Sequence, residues 1–355
     1  MGFYDINSNL NMATEIIYLD KGSGVPLYGV DFIGIIDRET NIIELKPLTI
    51  CNLKCRYCFV SAGDYQTNFI VDSGYLIEKV DELVEIKGRY GIEIHLAPYG
   101  EILLYPQLFE LIERLWKIEG VKTISMQTNG LLLNQDVITQ LESTNLTRIN
   151  ISLNTLSQKK ATYLSNCPDF NIKDLLKNIE LLLLSKINVL LAPVWFPGEN
   201  DEDIEDLIKY TLDLRKRGYS EEKIQIGIQK YLIYKTGRKL KKIRPKSWDY
   251  FYKQLTKLEK KHKIKLKLGP NDFNIHKRRK YPIQRFNKNE IHRLTVVSKG
   301  RWDNEYIGNI NDNSGIKILV NKSLVHSENL VGSEIEVKII KANYKNNILT
   351  AVFPK

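Results

Sequence analysis

Three of the four cysteines in this 355-residue chain lie within eight positions, at Cys51, Cys55 and Cys58. Their CxxxCxxC spacing places three thiolates within reach of one centre, and soft thiolates select iron–sulfur clusters or zinc. A structural zinc site needs a fourth ligand, and no further cysteine or histidine stands close in sequence. The pattern therefore favours a four-iron cluster with one iron left open to a substrate, and zinc remains the alternative.

The residues around this motif alternate between short apolar runs and longer amphipathic stretches. The apolar runs are Glu44–Ile50, Ile92–Ala97, Lys122–Gln127, Thr147–Leu153, Asn188–Val194 and Lys223–Gln229. The amphipathic stretches are Ser73–Ile86, Pro106–Ile118, Gln135–Leu141, Asp174–Leu184 and Asp201–Arg217. This alternation predicts six parallel strands joined by helices. Six units predict a partial barrel, since a complete barrel of this kind has eight.

A polar, cysteine, proline or tyrosine residue stands at the carboxyl end of each of the six predicted strands. Barrel folds gather their active sites at these strand ends. The residues are, in strand order, Cys51, Glu101, Thr128, Ser152, Pro193 and Tyr231. Taken alone, the sequence Thr128-Asn129-Gly130 is more simply a strand-to-helix turn. His95, on the second predicted strand, is expected to be a core or barrel-lining residue, and Cys167 a small buried one, with a substrate-side thiol as the alternative for Cys167.

Together these features resemble the radical S-adenosylmethionine (SAM) superfamily over residues 44 to about 231. The matching positions are the cysteine motif with aromatic Tyr57, Tyr99-Gly100-Glu101, Thr128-Asn129-Gly130, Ser152, Asn154 and Pro193. Tyr99 departs from the family pattern, which has glycine at that position. The resemblance implies an α/β fold, a partial (β/α)6 barrel of the radical-SAM type.

The resemblance also implies a division of roles. Cys51, Cys55 and Cys58 would hold a [4Fe–4S] cluster whose open iron binds SAM. The candidate SAM-binding residues are Tyr57, Gly100, Glu101, Asn129, Ser152 and Asn154. Among them, Glu101 would accept a charge-assisted hydrogen bond from the methionine ammonium. One-electron reduction would then yield a 5′-deoxyadenosyl radical that abstracts hydrogen from the substrate, with the electron supplied by a donor such as ferredoxin or flavodoxin.

The last 65 residues change pattern and predict five short strands without a helix. They are Ile291–Val297, Glu305–Ile310, Ile316–Val320, Glu334–Lys341 and Ile348–Phe353. Such a set suits a small closed barrel of the oligonucleotide-binding (OB) kind. Tyr306–Ile310, Gly315–Val320 and Leu330–Ile339 resemble a TRAM domain, which is found in RNA-modifying enzymes. A packing role alone is the alternative.

The net charge of +10 is distributed unevenly along the chain. Residues 230–295 carry 22 basic and four acidic side chains, whereas residues 1–229 carry 22 basic and 32 acidic ones. Aromatic residues are interleaved with these cations, a combination that binds RNA by stacking and phosphate contacts. A solvated lysine-rich helix face is the alternative. The densest basic runs give the candidate nucleic-acid contacts Lys239, Lys241, Lys242, Arg278 and Arg279.

We therefore expect a radical SAM domain over residues 1–231, a basic extension over 232–289 and a TRAM-like barrel over 290–355. The expected function is modification of a nucleoside in structured RNA, with tRNA as the expected substrate. One alternative is the same chemistry on a peptide or small metabolite, with the barrel as a docking module. The other is a non-catalytic RNA-binding protein with a structural metal. Because no apolar run is long enough to span a membrane and no signal peptide is evident, we expect a cytoplasmic protein.

Overall fold

The computed structural model describes residues 14–311, 313–321 and 329–354, which form two compact units. The first unit comprises the chain up to Asn52, residues 64–122 and the residues from 276 onwards. The second comprises residues 53–63 and 123–275. The domain limits expected from the sequence stay a prediction, and residues 1–13 lie outside the described part of the chain.

The first unit begins with strands that carry the chain to Cys51. Its elements before the barrel are β1 (Glu15–Leu19), β2 (Gly34–Asp37), β3 (Ile42–Lys46), β4 (Thr67–Val71), α1 (Ser73–Lys87), β5 (Ile92–Leu96) and α2 (Leu108–Trp116). β3 pairs in parallel with β5 and antiparallel with β2. It ends before Pro47, which has no N–H to donate to a ladder. The chain then runs beside β4, where the Thr49 N–H donates to the Phe69 carbonyl over 3.0 Å.

The second unit contains the other predicted strands of the α/β region. Its elements are β6 (Val121–Thr128, from Thr123 on), α3 (Gln135–Ser143), β7 (Arg148–Ile151), α4 (Gln158–Ser165), α5 (Ile172–Leu184), β8 (Asn188–Leu191), β9 (Val194–Trp195), α6 (Asp201–Lys216), β10 (Ile224–Ile226), β11 (Gln229–Lys230) and α7 (Trp248–His262). β6, β7, β8 and β10 pair in parallel in that order, and β9 pairs in parallel with β11. All six strands and all five helices expected from the hydrophobic pattern are present.

The C-terminal part of the first unit is a closed five-stranded barrel. Its strands are β12 (Ile291–Lys299), β13 (Glu305–Asn311), β14 (Ser314–Val320), β15 (Glu334–Asn343) and β16 (Ile348–Phe353). The order around the barrel is β12-β13-β14-β16-β15, and β14 and β16 form its parallel pair. Buried Val296, Ile316, Ile318, Val337 and Ile339 fill the interior. The expected fold class, an α/β partial barrel followed by a small all-β barrel, is confirmed.

The basic stretch contains a helix, α7, which the sequence pattern indicated only as the alternative of a lysine-rich helix face, without bounds. Ser247 caps α7 by accepting a hydrogen bond from the Tyr250 N–H, and the helix ends at Lys263 in a left-handed conformation. Only Phe251 and Leu255 of α7 are buried, so its apolar stripe is short and the lysines conceal it in the sequence. Within the described residues, no helix combines the length and apolar character needed to cross a membrane.

Candidate active site

Cys55 and Cys58 lie on a loop without regular secondary structure, residues 53–63 of the second unit, which we call the cysteine loop. The Cys58 N–H donates to the Cys55 carbonyl over 3.2 Å, and the Ser61 N–H donates to the Cys58 carbonyl over 3.3 Å. Cys51 follows the extended segment after β3 in the first unit. Within the described chain none of the three cysteines forms a disulfide, as a ligand set requires, and each residue is partly exposed.

The chemistry of these thiols fits an iron–sulfur cluster. Burial, followed by the neighbouring Cys58, raises the pKa of the Cys55 thiol to about 12, although Arg238 acts to lower it. Binding a metal would displace this proton. No three histidine, cysteine or acidic side chains of the described residues form a group that could hold a single metal ion. In a four-iron cluster each thiolate binds a different iron, so the three sulfurs need not converge on one point.

The second unit brings five of the predicted site residues around one small cavity. They are Cys55, Tyr57, Asn129, Ser152 and Asn154, and the rest of the lining comes mainly from α4 and the residues beside it. The cavity measures about 30 Å³, so it can receive only part of a molecule the size of SAM. Their individual roles toward SAM stay a prediction. The family resemblance nevertheless selected residues that line one cavity.

Asn154 is already engaged with two partners in this cavity. Its side-chain nitrogen donates to the Tyr57 hydroxyl over 2.6 Å, and its side-chain oxygen accepts from the Val194 N–H over 2.7 Å. The Tyr57 ring packs on Phe196 with ring centroids 4.9 Å apart. An amide has two N–H groups and two acceptor positions, so Asn154 keeps capacity for another contact. Through its two hydrogen bonds, Asn154 links the cysteine loop to β9.

The polar residues after β6 and β7 also make local bonds. The Asn129 side chain accepts from the Leu131 N–H over 3.0 Å, and the Thr128 hydroxyl accepts from the Gly130 N–H over the same distance. These are the bonds of a strand-to-helix turn, and Gly130 supports the turn with a positive φ of 82°. The Ser152 hydroxyl accepts from the Gln127 side chain over 2.9 Å.

Glu101 is buried in the first unit beside the chain that leads to Cys51. Its N–H donates to the Ile50 carbonyl over 2.8 Å, and its carboxylate accepts from the Leu103 N–H over 3.0 Å. Gly100 is required by this close approach, because a Cβ there would lie 2.1 Å from the Ile50 oxygen. The predicted glycine–glutamate pair thus has a clear structural basis.

Tyr99, the departure from the family pattern, is held by cations that sequence reasoning missed. The Lys46 Nζ lies 4.2 Å from the centroid of the Tyr99 ring, and the Arg301 guanidinium lies 5.8 Å from it. Lys46 also pairs with buried Glu44 over 2.7 Å. Arg301 comes from the barrel and pairs with Glu305 over 2.9 Å. Only the folded chain brings these residues together.

The five candidate RNA-binding cations differ in their surroundings. Lys239, Lys241 and Lys242 are exposed in the second unit, between β11 and α7, and Arg279 is exposed in the first. Arg278 is half-buried, with its guanidinium 3.5 Å from the centroid of the Tyr90 ring and donating to the Tyr90 carbonyl over 2.9 Å. Arg278 therefore has a packing role that its sequence context did not indicate.

The N-terminal part of α7 presents aromatic rings to solvent. Trp248, Tyr250 and Tyr252, which we call the α7 aromatic surface, are 52%, 41% and 47% exposed. Lys230 lies 4.9 Å from the centroid of the Trp248 ring, and Lys246 lies 5.7 Å from that of Tyr250. Exposed rings flanked by cations are the groups that stack on nucleic-acid bases while holding phosphates.

His95 and Cys167 are both partly exposed. The expectation that Cys167 is a small buried residue is therefore wrong. It follows the end of α4, where Asn166 adopts a left-handed conformation and the chain turns away from the helix. Cys167 does not line the cavity that contains Cys55.

Comparison with known proteins decides the family. The Radical SAM superfamily model matches residues 45–211, a span that contains the cysteine motif and every predicted SAM-binding residue. The chain belongs to the radical SAM superfamily. As a radical SAM enzyme it uses a [4Fe–4S] cluster and SAM, and it needs an external electron donor.

Two relatives and one solved structure define how far the similarity extends. The uncharacterized protein MJ0103 of Methanocaldococcus jannaschii is 34% identical, over 98% of this chain and 83% of that protein. The GTP 3′,8-cyclase of Aquifex aeolicus is 30% identical over 50% of this chain, which spans 55% of that enzyme's length. The crystal structure of HydG, a maturase of the [FeFe]-hydrogenase, covers 71% of this chain and 51% of its own, with a TM-score of 0.50 and 12% identity. That last likeness concerns the fold alone.

Proposed function

We propose that this radical SAM enzyme modifies a nucleoside within RNA, and specifically within tRNA. The observation that carries the proposal is the α7 aromatic surface with its flanking cations Lys230 and Lys246. From residue 230 to residue 262 the chain has twelve lysine or arginine residues and two acidic ones. Such a surface suits a polyanion with exposed bases and is poorly suited to an apolar or cationic substrate.

Within this proposal, Cys51, Cys55 and Cys58 hold the cluster. Glu101 receives the SAM ammonium, and the other predicted residues, Tyr57, Gly100, Asn129, Ser152 and Asn154, complete the SAM site. When bound, the cluster and SAM supply the one-electron chemistry needed for hydrogen abstraction. The protein's own part is to orient these groups and the substrate nucleoside.

Two features of the C-terminal barrel support an RNA substrate. Its strand order, with β14 and β16 as the parallel pair, is that of a small closed barrel, an architecture that binds oligonucleotides in other proteins. Its sequence also resembles the TRAM domain. Together with exposed Lys239, Lys241, Lys242 and Arg279, it gives the proposal a second source of RNA contacts.

A free purine nucleotide is the second candidate substrate, within the small-metabolite alternative. The similarity to GTP 3′,8-cyclase favours it, although that similarity covers half of this chain. A free nucleotide would leave the α7 aromatic surface without a function.

One experiment separates these candidates. Anaerobically reduced enzyme with SAM is incubated with total tRNA, with GTP or with neither, and 5′-deoxyadenosine is quantified, followed by mass spectrometry of the tRNA nucleosides. We expect tRNA, but not GTP, to stimulate 5′-deoxyadenosine release, and we expect one tRNA nucleoside to change mass. Stimulation by GTP, with no change in the tRNA nucleosides, would show that the substrate is a free nucleotide and not RNA.

A further inference from the structure

Arg238, a residue of the basic stretch, binds the cysteine loop. Its guanidinium donates through Nε to the Cys55 carbonyl and through Nη2 to the Ala62 carbonyl, both over 2.7 Å. Its backbone N–H donates to the Cys58 carbonyl over 2.8 Å. One residue thus binds three carbonyls of the loop, two of which belong to predicted cluster ligands.

The residues beside Arg238 strengthen this attachment. Gly237 packs so closely on the loop that a Cβ would lie 2.3 Å from the Phe59 oxygen. The Ser61 hydroxyl donates to the Thr236 carbonyl over 2.8 Å. We call residues 236–238 the strap. It is a continuous segment that runs along the cysteine loop and has no room for a larger residue at its centre.

Between residues 53 and 63 the described chain has turns but no helix or strand. The Cys55 and Cys58 carbonyls each accept one N–H from within the loop, and Arg238 gives each of them a further donor. Arginine suits this task because its planar guanidinium donates in two directions at once, whereas a lysine ammonium acts as a single point charge. Its charge also lies beside thiolates that become part of an anionic cluster. Nearby positive charge and hydrogen bonding are among the factors that set a cluster's reduction potential.

We propose that Arg238 is a positioning residue of the cluster site, which fixes the Cys55–Cys58 turn for cluster binding and makes the cluster easier to reduce. The proposal rests on membership of the radical SAM superfamily and is independent of the RNA substrate.

The test compares Arg238→Met and Arg238→Lys with Arg244→Met as the matched control, since Arg244 is exposed in the same basic stretch. Hydrogen exchange of the metal-free proteins is measured first. We expect several-fold faster exchange in Arg238→Met, confined to the cysteine loop and led by the amides of Cys58 and Ser61. Arg238→Lys should show an intermediate increase, because one ammonium cannot replace both side-chain bonds.

The second measurement is the midpoint potential of the reconstituted cluster, with the electron paramagnetic resonance spectrum of its reduced form. We expect a more negative potential in Arg238→Met, while Arg238→Lys stays closer to the wild type because it keeps the charge. Unchanged loop exchange and unchanged potential in Arg238→Met would overturn the proposal. If Arg238→Met fails to fold, Arg238→Lys decides: loop exchange equal to that of the wild type would overturn it.

Discussion

The side-chain amide of Asn154 donates to the Tyr57 hydroxyl over 2.6 Å, joining residues 97 positions apart in the chain. Its oxygen accepts the Val194 N–H, so one amide links the cysteine loop, the end of β7 and the start of β9. Burial raises the pKa of Tyr57 well above its usual value, and the nearby Cys55 raises it further, so the phenol stays protonated. A residue selected as a cofactor contact is therefore also part of the framework that holds the loop.

Replacing Asn154 by Ala should destabilise this framework. The change leaves the Val194 N–H without its side-chain acceptor and removes one of the two side-chain partners of the Tyr57 hydroxyl, the other being Cys55. An unsatisfied buried polar group costs about 1–3 kcal/mol. Urea unfolding of the metal-free protein measures the loss. Tyr57→Phe is the comparison, and the double variant should lose less than the sum of the single variants because the two residues share a bond. Additive losses would show that the bond contributes little.

Replacing any one of Cys51, Cys55 and Cys58 by Ala should abolish assembly of the four-iron cluster. Three thiolates are the complete protein ligand set in this proposal, so none is dispensable. Iron and sulfide content after anaerobic reconstitution is the measurement. Cys167→Ala is the matched control and should keep the wild-type content. Loss of iron from the Cys167 variant would show that a fourth cysteine belongs to the site.

Glu101→Gln should weaken SAM binding while preserving the cluster. Glutamine keeps an oxygen for the Leu103 N–H but removes the charge, and a hydrogen bond to a charged group contributes about 1.5–3 kcal/mol. Titration calorimetry with the reconstituted protein should therefore show affinity reduced by roughly ten- to a hundred-fold. Glu113→Gln, on the exposed side of α2, is the control. Equal affinity in wild type and Glu101→Gln would remove Glu101 from the SAM site.

The first unit should lose stability in acid through Asp31. Burial alone would raise the pKa of this carboxyl, but Lys317, 2.9 Å away, and Arg301 hold it below its usual value of 3.8. A lowered folded-state pKa contributes stability above the unfolded value, and that stability disappears as the pH falls through the folded value. The free energy of unfolding in urea should therefore decrease as the pH falls below about 4.

Asp31→Asn tests the origin of that decrease. It should be less stable than the wild type at pH 7 and should show a shallower loss of stability below about pH 4, since it has no carboxyl to protonate. Asp20→Asn, at an exposed position, should follow the wild-type profile. Parallel wild-type and Asp31→Asn profiles would assign the acid sensitivity to other carboxyls.

Features that depend on residues close together in the sequence were predicted, whereas features that depend on residues far apart in the sequence were not. Strands and helices were predicted because apolar periodicity is local, and their order placed Glu101 and Ser152 at strand ends. The strap was not predicted, because Arg238 binds carbonyls 183 and 176 positions earlier in the chain. Carbonyls leave no signature in residue type. Arg278, bonded to a carbonyl 188 positions away, was taken as a surface cation for the same reason.

α7 shows a different limit. Most of its side chains, including its lysines and the α7 aromatic surface, are exposed. Only two, Phe251 and Leu255, are buried, so the apolar periodicity that indicates a helix is weak. The sequence therefore identified the aromatic and basic character of this stretch, and it offered a helix face as an alternative without the bounds of the helix. The arrangement matters for function, because it is the helix that presents Trp248, Tyr250 and Tyr252 together to solvent.

tRNA binding should depend on the rings of the α7 aromatic surface and on the exposed lysines of the segment before α7. Trp248→Ala should weaken binding by about 1–3 kcal/mol, the contribution of one base stacked on an aromatic side chain, with little change in salt dependence. Lys241→Gln and Lys242→Gln should each reduce the slope of log affinity against log salt by about 0.7–0.9, because each removes one phosphate contact. Fluorescence anisotropy with labelled tRNA over a salt series measures both effects. Lys186→Gln, exposed elsewhere in the second unit, should change neither. Equal slopes for Lys241→Gln, Lys242→Gln and the control would show that these lysines do not contact RNA.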